Sequence, residues 1–269
     1  MFPSRAKKDG RINLKEKTER FVEETRSIRE FADVFLVADL KDPTLLKLST
    51  LEAALLLRER LGVDASPVIV VRDMNRQQFL SSVLAGITLG LGSMMIAWGD
   101  DYPPRAGLTN VRDFPRLAAA IRQASGVRRR ARAPTTLMAP VDVEKLATAA
   151  GVALAKGRLR AGADYLLAQP PTTDADATFE RHLSLLEGAG LKGRVLLNVF
   201  PFWDEKDVRA SERYFGWKLP QELHRTAKRE KESLLQSGRE VVRRIRAESL
   251  PGVYVSTRGV PTVAETLLT

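Results

Sequence analysis

Short apolar runs alternate with longer amphipathic segments along the whole chain, and this alternation limits the fold more than any other feature. The runs are "ADVFLVAD" (32–39), "SPVIVVRD" (66–73), "SMMIAWGD" (93–100), "APTTLMAP" (133–140), "ADYLLAQP" (163–170), "RVLLNVFP" (194–201) and "GVYVSTRG" (252–259). Each has about the length of a strand buried on both faces, and most are rich in branched apolar residues. Between them lie helical patterns such as "TLEAALLLRERLG" (50–62), "RQQFLSSVLAGITLG" (76–90), "VEKLATAAGVALAKGRLRAG" (143–162) and "TFERHLSLLEGAG" (178–190). Strands that alternate with helices in this way predict a parallel sheet with crossover helices. The even repeat has no linker rich in Pro, Gly or Ser, which predicts a single domain over residues 1–269. An open doubly wound sheet satisfies the pattern, but a closed (β/α)8 TIM barrel fits the chain length better. A barrel needs one more strand ahead of the helical pattern at 13–29, where residues 1–10 are too few and too basic. The first strand is therefore expected to be truncated or missing.

Composition removes several function classes. Cysteine is absent, which excludes disulfides, thiolate nucleophiles and cysteine-ligated metals. The two histidines, His182 and His224, lie far apart in sequence, so no multi-histidine metal site is expected. No apolar run is long enough to span a bilayer, and "MFPSRAKKDGR" lacks the apolar core of a signal peptide. A cytoplasmic location without a membrane partner is the expectation. The formal charge of +10 is concentrated in "GVRRRARAP" (126–134) and "HRTAKREKESLLQSGREVVRRIRAE" (224–248). Glutamates interleaved at helical spacing make the second stretch a solvated helix face. No nucleic-acid module accompanies the charge, so no specific nucleic-acid partner is expected; attraction of an anionic ligand is the functional reading.

In a parallel barrel the chemistry sits at the carboxyl ends of the strands. Those ends carry Asp39, Arg72 with Asp73, Asp100 with Asp101, Pro140, Gln169 with Pro170, Pro201 and Arg258. A lone aspartate after a strand is commonly a helix N-cap. Asp100 is harder to read so, because Tyr102, Pro103 and Pro104 continue as loop. Other motifs fail. "GLGSMM" (90–95) lacks the third glycine of a dinucleotide fingerprint and precedes a strand, and "GVALAKGR" (151–158) lacks the ending of a phosphate loop. No serine elbow is present, which argues against acyl transfer.

The block "RDMNRQQFLSSVLAGITLGLGSMMIAWGDDYP" (72–103) resembles the core signature of the methylenetetrahydrofolate reductase family. That signature is arginine-aspartate-x-asparagine-arginine, a helix ending in leucine-glycine, and an apolar strand closed by glycine-aspartate. "AGADYLLAQPPTTD" (161–174) resembles the family's alanine-glycine-alanine-aspartate strand ending in glutamine. "FGWKLPQEL" (215–223) and "GVYVSTRG" (252–259) are similar to weaker later elements. The resemblance implies a flavin-binding eight-fold barrel with FAD as cofactor. It implies that Asp100 lies beside the flavin ring and the pterin, with a catalytic and a substrate-binding role, and that Gln169 hydrogen-bonds the pterin. It also places Asp39, Arg72, Gly99 and Asp100 at the cofactor, with Arg158 near the flavin phosphates; Arg158 reads equally well as a solvated helix residue.

The departures from the family are specific. Its first strand ends in a glutamate, the general acid, followed by aromatics and prolines; here "MFPSR" (1–5) resembles the tail of that motif, and Met1 follows the place of the glutamate. Val68 stands where the family often has histidine, Ala139 where it often has tyrosine, and "TRGVPT" (257–262) lacks the asparagine-arginine of that region. The expected function is hydride transfer from reduced flavin to a C1 unit on a pterin carrier, tetrahydrofolate or a methanopterin relative. One alternative is a non-catalytic paralogue or subunit that binds flavin or pterin and works with an electron-donor, reductase or methyltransferase partner. Another is an unrelated barrel enzyme whose basic rim holds a phosphorylated metabolite. A homo-oligomer is compatible with each.

Overall fold

The computed structural model describes residues 14–38, 48–101, 112–229, 231–256 and 260–269. In chain order the elements are α1 (Leu14–Arg26), β1 (Phe35–Val37), α2 (Thr50–Leu61), β2 (Ala65–Val70), α3 (Arg76–Thr88), β3 (Ser93–Ala97), α4 (Leu117–Arg130), β4 (Thr136–Asp142), α5 (Ala149–Arg160), β5 (Tyr165–Gln169), α6 (Ala177–Ala189), β6 (Val195–Val199), α7 (Glu205–Phe215), α8 (Gln221–Arg229), α9 (Lys231–Ala247), β7 (Val253–Val255) and α10 (Pro261–Leu268). This is the parallel α/β order that the alternation predicts. The chain divides into two compact units, Met1–Ala139 with Gly157–Asp164, and Pro140–Lys156 with Tyr165–Thr269.

In the first unit β1, β2, β3 and the start of β4 pair in parallel, with Phe35 opposite Ala65, Val68 opposite Met95 and Ser93 opposite Thr136. β2 and β3 are buried along almost their whole length, as strands covered on both faces must be. Their side chains join a core that includes the fully buried Phe79, Ile69, Met94, Ile96 and Ile121. A satellite cluster of Val37, Ala53, Ala54, Leu57, Ala65 and Leu91 fixes α2 against β1 and β2. Each large apolar side chain buried in this way contributes about 1.5–3 kcal/mol. In the second unit β5, β6 and β7 pair in parallel, with Leu166 opposite Val195 and Leu197 opposite Val253. Phe200, Phe202, Val208, Leu219, Leu223, Ala227 and Leu234 form a core cluster there, packed under Trp217.

Local chemistry sets the helix boundaries. Ser49 and Glu52 form a reciprocal capping box on α2, Asn75 caps α3, and Asp204 caps α7. The helix expected over 143–162 is instead a 3-10 turn at Glu144–Ala147 followed by α5. Thr148 separates them: its backbone is extended, and its hydroxyl accepts from the Gly151 N–H at 3.1 Å, which starts the new helix. The apolar run at 252–259 yields only Val253–Val255 as strand, and residues 257–259 lie outside the described residues. Among the described residues no helix is long and apolar enough to cross a membrane.

Candidate functional site

In the first unit the polar residues that follow β2 and β3 form one tightly bonded tip. Backbone pairing runs past the strand ends, through Val71 N–H to the Ala97 carbonyl at 2.9 Å and Arg72 N–H to the Trp98 carbonyl at 3.2 Å. Arg72 is buried; its Nε donates to Asp73 Oδ2 at 2.8 Å and its Nη1 donates to the Asp100 carbonyl. Asp73 takes a left-handed backbone, φ 68°, unusual for a residue with a side chain. Next in the chain, Asn75 Oδ1 accepts from the Gln78 N–H at 2.8 Å and so launches α3.

Gly99 is required where it stands. Its φ is 80°, and a Cβ there would lie 2.4 Å from Val70 Cγ1 and 2.9 Å from Arg72 Cβ. Its carbonyl accepts from Arg112 Nη2 at 2.9 Å, while Arg112 Nη1 meets Asp101 Oδ1 at 2.8 Å. The same guanidinium lies 5.0 Å from the centre of the Trp98 ring, within cation–π range. The two arginines are inside, and the Asp100 and Asp101 side chains are exposed. Two carboxylates on a backbone held in this way can accept N–H donors from a ligand.

In the second unit Gln169 ends β5, half-buried, and its carbonyl accepts from the Val143 N–H at 2.8 Å. Just beyond it, Thr172 Oγ1 lies 2.9 Å from His182 Nδ1, and His182 Nε2 lies 3.2 Å from Glu144 Oε1. Thr172 and His182 are fully buried. The His182 contact, joined by Arg181 Nε at 2.9 Å from Glu144 Oε2, holds the Glu144 carboxyl down at about 2 despite partial burial. Nearby, the Thr172 N–H reaches the Asn198 carbonyl at 2.7 Å, and the buried Asn198 Oδ1 has no hydrogen-bond partner among the described residues.

Of the residues singled out from sequence, the structure brings Arg72, Gly99 and Asp100 together. Gln169 belongs to the other unit, and Asp39 lies outside the described residues. Arg158 sits in the last turn of α5, the helix end that leads into the amino end of β5. Sequence reasoning missed Arg112, which no motif marks. It also missed the Thr172–His182–Glu144 chain, for which the only signal is a histidine inside the apolar pattern of α6.

No protein-family model matches the chain, and no curated protein matches it. Solved structures do. An uncharacterized protein from Clostridium thermocellum that binds two copies of 5-methyl-5,6,7,8-tetrahydrofolic acid superposes with a TM-score of 0.62 at 14% identity, covering 95% of this chain and 87% of that one. Oxaloacetate acetylhydrolase in complex with the product oxalate gives 0.50 at 15% identity, covering 92% of this chain and 86% of that one. At such identity the likeness shows the fold alone.

These findings correct the reading as a methylenetetrahydrofolate reductase. The fold is shared with a folate-binding protein and an acetylhydrolase, and neither the flavin-dependent hydride transfer nor the FAD cofactor finds support. The structure explains the false lead. Arg72 is spent on Asp73 and the Asp100 carbonyl, Asn75 is a helix cap, and Gly99 fills a gap too small for a Cβ. In "AGAD", Gly162 has a φ of 115° with Ser125 Oγ 2.3 Å from where its Cβ would be, and Asp164 accepts from the Leu137 N–H at 2.8 Å while pairing with Arg128. Arg72, Asn75, Gly99, Gly162 and Asp164 each have a structural role in this fold. The flavin roles given to Asp39, Arg72, Gly99, Asp100 and Arg158 therefore fall with the flavin.

Proposed function

We propose that the chain binds a reduced folate-type C1 carrier at the carboxyl ends of its strands, which belong to a (β/α)8-type barrel architecture. The observation that carries this reading is the fold likeness over 95% of the chain to a protein described as binding 5-methyltetrahydrofolate. The chemistry of the strand ends agrees with it. A pterin presents an amino group and a ring N–H along one edge, which suits an acceptor-only carboxylate such as Asp100. The glutamate tail of such a ligand is anionic, and a chain of net charge +10 attracts it.

Calorimetric titration with 5-methyltetrahydrofolate tests the reading. The expected result is saturable binding that Asp100→Asn weakens by about one to two decades, the scale of a charge-assisted hydrogen bond. Heats no larger than dilution at ligand concentrations up to about 1 mM would refute it.

A further inference from the structure

We propose that Arg112 is a positioning residue that holds Asp100 in its ligand-binding orientation; this rests on the folate-type reading above. The turn Gly99–Asp101 that carries Asp100 is gripped from both sides. Arg72 donates to the carbonyl of Asp100 itself. Arg112 donates to the carbonyl before it, on Gly99 at 2.9 Å, and pairs with the carboxylate after it, on Asp101 at 2.8 Å. The planar fork of a guanidinium is what allows one side chain to span both groups.

Three further features point the same way. The Arg112 side chain is only 15% exposed, and its Nε is buried with no hydrogen-bond partner among the described residues. The guanidinium also lies over the Trp98 ring, which fixes its plane. Finally, Asp73 in its left-handed conformation and Gly99 with its obligatory positive φ both sit in this tip. A non-glycine residue such as Asp73 in the left-handed region persists only where the surroundings over-determine it, and such places cluster at ligand sites. Freezing the turn before the ligand arrives removes part of the ordering cost of binding.

A double-mutant cycle read by titration with 5-methyltetrahydrofolate separates positioning from general damage. Arg112→Met in the wild-type background is expected to weaken binding about three- to tenfold, the size of an ordering cost restored. In an Asp100→Ala background the same change is expected to cost less than about twofold, because the group it positions is gone. Arg112→Lys keeps the charge but not the fork, and is expected to lose most of the same affinity. Should Arg112→Met fail to fold, judged by circular dichroism, Arg112→Lys carries the cycle. Equal losses in both backgrounds, or no loss in either, would overturn the role of Arg112 while leaving folate binding intact. Failure of the wild-type protein to bind would overturn the folate reading and this inference together.

Discussion

Around the tip of β3 the residues divide their roles by burial: Arg72 and Arg112 lie inside, and Asp100 and Asp101 face solvent. Position at the end of an apolar run is visible in sequence, so the gathering of Arg72, Gly99 and Asp100 was legible there. Arg112 was not, since no motif marks it and only the folded chain brings its guanidinium to the Trp98 ring. The same holds for Glu144, which meets His182 across a long stretch of chain. That contact makes a pH prediction. The carboxyl of Glu144 is lowered from 4.5 to about 2, so its contribution to stability is complete above pH 4.5 and is lost as pH falls toward 2. Glu144→Gln should therefore be less stable than wild type at neutral pH, with a deficit that shrinks across that window. Urea unfolding at a series of pH values measures this, and a deficit independent of pH would contradict it.

At the scale of elements, the sequence is legible wherever one rule acts alone. Apolar runs became strands, with β2 and β3 buried along almost their whole length, and serine, asparagine and aspartate before a helical pattern became its caps. The exception at 143–162 arose because Thr148 offered its hydroxyl to the backbone and split one pattern into a turn and a helix. The "AGAD" segment shows how a structural need can look like a functional motif. Asp164 joins the Leu137 N–H and Arg128, and Arg128 also donates to the Thr135 carbonyl at 3.1 Å and the Gly162 carbonyl at 3.3 Å. These contacts lie at the amino ends of β4 and β5, away from the strand ends that carry Asp100. Asp164→Asn is thus expected to destabilise the fold by about 1–3 kcal/mol while leaving ligand affinity unchanged. Denaturation and titration of the same variant check both halves; a loss of affinity without a loss of stability would place Asp164 in the site.

For the whole molecule, the alternation of strands and helices determines a parallel α/β fold, and that fold is common to proteins with different ligands. Sequence similarity carried largely by glycines, caps and ion pairs tracks the architecture, which is why it suggested a flavin enzyme where the fold neighbours do not. What distinguishes one such protein from another is the set of side chains at the strand ends, and in the first unit these include Asp100 and Asp101, held by two arginines. A crystal structure of the protein with 5-methyltetrahydrofolate tests this most directly. The pterin is expected at the carboxyl ends of the strands, with its amino edge on Asp100. A pterin bound at the amino ends beside Arg128 and Asp164, or crystals that hold none at saturating ligand, would contradict the account.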